Sequence, residues 1–332
     1  MRFPASVRAR AVCAALVLGA AGGGAHAQEP GADRPLLSLP VDCPLDVECF
    51  VQQMPDMAAG PETSDPFCGV ATYDGHEGTD IRVRSLPDVA RGVPVVAPAP
   101  GIVLRTRDGE ADRLVERQAD IAALKGRECG NGAIIDHGGG LTTQLCHLRE
   151  GSLSVEPGQR VERGDAIGLL GISGLAQFPH VEMVVRLGDR PVDPTSGGEV
   201  GAGCRVQGTT LWDEATRGQI GRPETQVLGL GIAGGPVTPE DLVASGAPAA
   251  PDATEPDAAV AWVWLINLRG GDLVRLTLTG PGGEVATNEI AIERTKAQYA
   301  AYAGRRNPGS GPFTARAEIV RDGEIVLEAV GP

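Results

Sequence analysis

The chain is predicted to be all-β, with an antiparallel β-sheet core followed by a small C-terminal β-sandwich. Three observations carry this expectation. Glycine and proline are abundant, at 47 and 26 residues, while aromatic residues make up only 3%, so short strands and tight turns fit better than long helices. Short β-branched runs broken by Pro and Gly recur, as in the stretch from Val93 to Leu104. The segment 258–332 alternates apolar and polar residues with a period of two.

The first 27 residues read as a secretory signal peptide. Arg2, Arg8 and Arg10 precede an apolar run from Ala11 to Ala21, and Ala25-His26-Ala27 forms a small-x-small cleavage site. The run is too short to span a bilayer, and no other long apolar run follows. The mature chain is expected to begin at Gln28 and to be exported, to the periplasm or the extracellular space. Beyond Cys13 in the signal, six cysteines remain: Cys43, Cys49, Cys68, Cys129, Cys146 and Cys204. An even number in an oxidising compartment points to disulfides, and the lack of a CxxC pair disfavours a thiolate metal site. Fifteen pairings are open. Cys129–Cys146 is the expected one, because these residues flank one predicted hairpin.

The net charge is −14, and the signal carries three arginines and no acids, so the mature chain is more negative by three. This argues against nucleic acid as a partner, and against long-range attraction to anionic polymers. A substrate engaged at contact distance in a groove remains compatible with it.

The organisation follows in chain order. Residues 28–66 are Pro-rich and read as an extended N-terminal arm, pinned in part by Cys43 and Cys49. Residues 67–204 form the predicted sheet domain, in which Gly138 to Gly140 make a hairpin turn between two strands. The charged insertion from Asp108 to Arg127 is expected to be helical or a loop, a surface excursion. Residues 205–257 are expected to be a linker region, since 221–257 is rich in Gly, Pro and Ala and includes Ala247-Pro-Ala-Ala-Pro251. In the final domain, 258–332, Trp262, Trp264, Ile266 and Leu268 are expected on one face. Val274, Leu276 and Leu278 repeat the pattern. Phe313, Ala315, Ala317 and Ile319 then lead through an Asp322-Gly323 turn to Ile325, Leu327 and Ala329. The tryptophans read as core, with a sugar platform as the other use of such a pair.

The chemistry-bearing residues are His76-Glu-Gly-Thr-Asp80, His147 and His180-Val-Glu182. A hydrolytic zinc site takes three protein ligands and keeps one position for water. Gly75 and Gly78 free the backbone around His76 and Asp80. On a strand, His180 and Glu182 project from the same face and can point into one cleft. His137, beside Asp136 at the hairpin entrance, reads as structural, and His26 leaves with the signal.

The segment 76–194 resembles the lysostaphin-type, or LytM-like, zinc metallopeptidases that cut peptidoglycan peptides. The motifs that carry the resemblance occur in order: His76-Glu-Gly-Thr-Asp80, Gly130-Asn-Gly-Ala-Ile-Ile-Asp-His-Gly138, His147-Leu148, Pro157-Gly-Gln-Arg-Val161, Gly164-Asp-Ala-Ile-Gly168 and Phe178-Pro-His-Val-Glu182. The resemblance covers a little over a third of the chain and implies a sheet core of the duplicated hybrid motif type. The family's final motif is His-x-His. Here His180 matches either its second His, leaving Phe178 at the first, or its first, leaving Glu182 at the second. In the family an Arg often lies four residues after the second His, with Val-x-Pro six further on. Arg186 and Val192-Asp-Pro194 favour the latter register.

The resemblance then implies His76, Asp80 and Glu182 as zinc ligands and His147 and His180 as the catalytic pair. Glu182 stands where the family has a third ligand His. Zinc accepts carboxylate oxygen at about the same distance as imidazole nitrogen. A centre of one His and two carboxylates is neutral rather than singly positive, and should activate water less strongly. The implied function is a secreted zinc endopeptidase acting on peptidoglycan stem peptides. The alternatives are a non-catalytic LytM-like module that binds cell wall or activates a partner wall hydrolase, and a C-terminal sandwich that binds a partner or glycan.

Overall fold

Alternating β-branched and polar residues, cut by glycine turns, produce seventeen strands and four short helices among the described residues. The computed structural model describes residues 34–115, 118–206 and 208–332. The signal-peptide assignment to 1–27 lies outside the described residues. In chain order the first strands are β1 (Phe50–Gln53), β2 (Gly78–Arg82), β3 (Pro94–Val96), β4 (Gly101–Arg107), β5 (Asn131–Asp136) and β6 (Leu141–Leu148). Next come β7 (Arg160–Val161), β8 (Ala166–Leu169), β9 (His180–Leu187) and β10 (Arg190–Val192). The fold class is as predicted, mostly antiparallel sheet with little helix.

The main sheet runs β1-β2-β9-β6-β5-β4-β7, with β10 folded back on β9 as a hairpin. The β5–β6 turn uses Gly138, Gly139 and Gly140, all at positive φ, where a side chain would be strained. Leu145, Val181, Met183 and Ile135 are buried in the core beneath this sheet. The insertion is a short helix, α2 (Gln118–Ala123), following α1 (Leu86–Arg91).

The N-terminal arm does more than extend. Its β1 forms the edge of the main sheet against β2, and Leu37, Leu39 and Val41 enter the core. Three disulfides are present: Cys43–Cys49, Cys68–Cys204 and the expected Cys129–Cys146.

The stretch expected as a linker is largely structured. It holds α3 (Glu214–Gln219), β11 (Gln226–Ala233) and α4 (Pro239–Ser245). The remaining strands are β12 (Ala258–Leu268), β13 (Leu273–Gly280), β14 (Gly283–Ala291), β15 (Lys296–Arg306), β16 (Thr314–Arg321) and β17 (Glu324–Gly331). β11 pairs with β12 along its length, so the sandwich packs a β11-β12-β15 sheet against β14-β13-β16-β17. Gly229 and Gly231 read as loop residues, yet a Cβ on either would come within 3.0–3.1 Å of the Trp262 ring. They are small because the indole lies on them.

β12 is buried on both faces. Ala259, Ala261, Val263 and Leu265 face the second sheet of the sandwich. Trp262, Trp264 and Ile266 face the other way and pack with Phe50, Leu228 and Leu242. The tryptophans are therefore core, at a seam between the sandwich and the main sheet. Leu268 departs from the expected face. Asn267 takes a positive φ of 56°, which turns the strand, and Leu268 joins the sandwich interior. Ile325 also departs: it is 50% exposed on the edge strand β17. A register shift between Ile319 and Val320, where β16 pairs with β17, interrupts the alternation there.

Candidate metal centre

His76 is held before it reaches the site. The Asp56 N–H donates to the His76 carbonyl at 2.7 Å, and the Asp56 carboxylate accepts from the Gly75 N–H at 3.2 Å. Tyr73 stacks on the His76 ring, with centroids 4.5 Å apart. Asp80 follows on β2, directly across the ladder from Glu182 on β9. Gly78 leaves room for Glu182, since a Cβ at Gly78 would stand 2.5 Å from Glu182 Cγ.

These placements bring His76, Asp80 and Glu182 together, with one ligand atom from each lying within 4.8 Å of the others. His76 Nε2 and Asp80 Oδ1 are 3.3 Å apart. Both atoms are buried and neither has a hydrogen-bond partner among the described residues. His76 Nδ1 lies 3.7 Å from Glu182 Oε1.

His147 sits at a φ of 63°, in the left-handed region that a residue with a side chain rarely adopts. Its neighbour Cys146 is tied to Cys129, whose carbonyl accepts from the His147 N–H at 2.8 Å. The His147 Nδ1 donates to the Ser173 carbonyl at 2.7 Å, and the His180 Nδ1 to the Phe178 carbonyl at 2.8 Å. A carbonyl can only accept, so each ring carries its proton on Nδ1 and leaves Nε2 for the site. The two Nε2 atoms face the carboxylates, His147 at 3.6 Å from Glu182 Oε2 and His180 at 3.8 Å from Asp80 Oδ1. The two rings lie 4.5 Å apart.

Burial and charge oppose one another throughout. Burial alone pushes the His76 pKa down, but Asp80 and Glu182 outweigh it and raise it. His147 behaves alike: burial is overcome by its contact with Glu182. For His180 burial wins and lowers its pKa to about 4. Burial would raise both carboxyl groups, yet the imidazoles hold Asp80 and Glu182 below their ordinary values. The Tyr73 hydroxyl is pushed upward by loss of water contact and then by Asp80 and Glu182.

The site opens into a cleft of about 390 Å³, whose lining includes Tyr73, Asp80, His147, His180, Glu182 and Gln298. Residues 74–194 match peptidase family M23. This segment is an M23 domain. Beyond it the similarity is narrow. Peptidoglycan DD-endopeptidase ShyA of Vibrio cholerae is 32% identical over 120 residues, 36% of this chain and 22% of that protein. Peptidoglycan DD-endopeptidase ShyB of the same organism is 31% identical over 118 residues, again 36% and 22%. The chain thus spans under a quarter of the length of these curated relatives. Among solved structures, a zinc containing peptidase from Vibrio cholerae aligns at a TM-score of 0.33 and 24% identity, covering 48% of this chain and 39% of the other. The catalytic domain of lysostaphin from Staphylococcus simulans aligns at 0.27 and 19%, covering 36% and 76%.

The M23 domain brings the five proposed site residues together: Asp80, His147, His180 and Glu182 line the cleft, and His76 is buried behind them beside Asp80. His137 lies elsewhere, between the Pro100 carbonyl at 2.9 Å and Thr143 Oγ1 at 2.8 Å. Several contributors were not foreseen, Asp56 and Gln298 among them. Tyr73 and Ser173 have no motif that would reveal them. Arg82 was within reach, because it shares a strand face with Asp80 two residues earlier. It pairs across the ladder with His180.

Proposed function

We propose that the chain is an exported zinc metalloendopeptidase that hydrolyses the peptide cross-links of peptidoglycan. One observation carries the reading: in an M23 domain, His76, Asp80 and Glu182 converge at the wall of a cleft with two tautomer-fixed histidines beside them. The donor set suits zinc. Two ligands at about 2.1 Å on a tetrahedral ion stand about 3.4 Å apart. His76 Nε2 and Asp80 Oδ1 are 3.3 Å apart, buried and otherwise unpaired among the described residues. Bound zinc would make a water more acidic and polarise the scissile carbonyl. The protein's own part is positional. His147 and His180 present Nε2 atoms able to accept the water's proton and, once protonated, to donate to the oxyanion that develops at the carbonyl. The Ser173 and Phe178 carbonyls keep those rings oriented.

The disulfides fit an oxidising, extracytoplasmic setting. No helix among the described residues is long and apolar enough to cross a membrane. A second reading, a non-catalytic module that binds wall or activates another hydrolase, draws on Glu182 Oε2 lying 3.6 Å from His147 Nε2. A carboxylate there can occupy the imidazole needed for proton transfer.

Metal analysis of the secreted protein, paired with muropeptide profiling of digested sacculi, separates the two. The peptidase reading expects about one zinc per chain and loss of cross-linked muropeptides. Protein free of metal that leaves sacculi intact would refute it.

A further inference from the structure

One wall of the catalytic cleft comes from outside the M23 domain. Ala297 and Gln298, on β15 of the sandwich, line it together with His180 and Glu182. Gln298 reaches back to Arg82, whose Nη1 donates to Gln298 Oε1 at 3.3 Å.

Arg82 is fully buried and has no carboxylate within ion-pair distance among the described residues. Its donors go to oxygens instead. Nη1 also donates to Gln52 Oε1, Nε to the Val83 carbonyl at 3.0 Å and Nη2 to the Arg84 carbonyl at 3.1 Å. The guanidinium lies against Phe178, 4.7 Å from the ring centroid, and against Trp264 at 5.1 Å. A guanidinium only donates, so a glutamine beside it must turn its carboxamide oxygen inward. That leaves the amide NH2 facing elsewhere. For Gln52 this group is buried and unpaired among the described residues. For Gln298, half-buried at the cleft, no described residue accepts from the amide nitrogen.

A contact that merely docked the two domains would not need this arrangement. Docking is already supplied by Trp262, Trp264, Phe50 and Leu228. The Arg82–Gln298 bond of 3.3 Å is long for an N–H···O bond and adds little to that seam. What the bond does is turn the carboxamide oxygen of this cleft-lining residue toward Arg82, which frees its NH2 for another acceptor. A peptide drawn into the cleft brings backbone carbonyls that lose water and need donors. Asp80 and Glu182 only accept.

We propose that Gln298 is a specificity-determining residue, whose side-chain NH2 donates to a carbonyl oxygen of the bound peptide, with Arg82 as the residue that positions it. The C-terminal sandwich is then part of the substrate site. This rests on the peptidase reading above.

The test uses full-length mature protein loaded with zinc and a dye-labelled, cross-linked soluble muropeptide. Kd is read by fluorescence anisotropy, and KM and kcat by release of the cleaved product. Gln298→Glu keeps an oxygen for Arg82 and removes the donor. Gln298→Met removes the donor without adding charge. Both variants should raise Kd and KM about tenfold, the worth of one hydrogen bond, with kcat within about twofold and Tm unchanged or, for Gln298→Glu, higher. Wild-type affinity in Gln298→Met overturns the proposal, and a loss confined to Gln298→Glu assigns the effect to charge and overturns it too. If wild type binds the muropeptide but never cuts it, the peptidase reading fails, while loss of affinity in both variants still supports the role of Gln298. If wild type neither binds nor cuts, both fall.

Discussion

Asp80 and Glu182 stand directly opposite one another across the β2–β9 ladder. Two like charges in a facing cross-strand pair, largely removed from water, oppose folding unless cations lie between or beside them. The protein surrounds this pair with three imidazoles, and a divalent ion would neutralise it further. Replacing Glu182 with His removes one of the two charges and restores a net positive centre around bound zinc. Glu182→His is expected to keep about one zinc per chain and to hydrolyse sacculi about tenfold faster, since a more positive ion activates water better. Inductively coupled plasma analysis and muropeptide release measure both. A drop in rate would show that the carboxylate itself is needed.

Gly78 gives Glu182 its place. A methyl at Gly78 would meet the Glu182 side chain at 2.5–2.8 Å and push it away from His76. Gly78→Ala should weaken zinc affinity by about tenfold or more and cost about 1–3 kcal/mol of stability by overpacking. Competition with a chelating dye and urea unfolding read the two effects. Unchanged zinc affinity would remove Glu182 from the ligand set.

His147 and His180 are expected to act on protons rather than hold the metal. His147→Ala and His180→Ala should each lower hydrolysis by about 10²–10⁴ while zinc content stays at wild-type level. Zinc lost together with activity in either variant would reassign that residue as a ligand.

His137 tests the structural assignment through pH. Its ring is bracketed by Pro100 and Thr143, and burial lowers its pKa below the usual 6.5. In the window between that lowered value and 6.5, the unfolded chain binds the proton and the folded chain does not. The contribution is therefore present above pH 6.5 and is lost as pH falls through the window. His137→Gln should lower the urea midpoint at neutral pH yet lose less stability on acidification than wild type. Parallel pH profiles for the two proteins would contradict this.

The candidate site was legible from local spacing because side chains two apart on a strand, or four apart around a glycine turn, share a face wherever the strand ends up. His76, Asp80, His180 and Glu182 are of this kind. So are the Gly138–Gly140 hairpin and the Asp322-Gly323 turn, whose positive φ angles are demanded by the residues themselves. The Cys129–Cys146 pair was equally local, since both ends belong to one hairpin.

Other features have no local signature, because they depend on which distant surfaces meet. β11 looked like linker since its glycines answer to Trp262, more than thirty residues later. Leu268 changed face because one residue, Asn267, adopted a left-handed backbone that alternation cannot foresee. Cys68 found Cys204 across 136 residues. Gln298 reads as an ordinary polar strand position, and it became part of the cleft when burial of the tryptophan face brought the sandwich against the main sheet. Covalent geometry settles what lies within a few residues. The free energy of packing, summed over the whole chain, settles the rest.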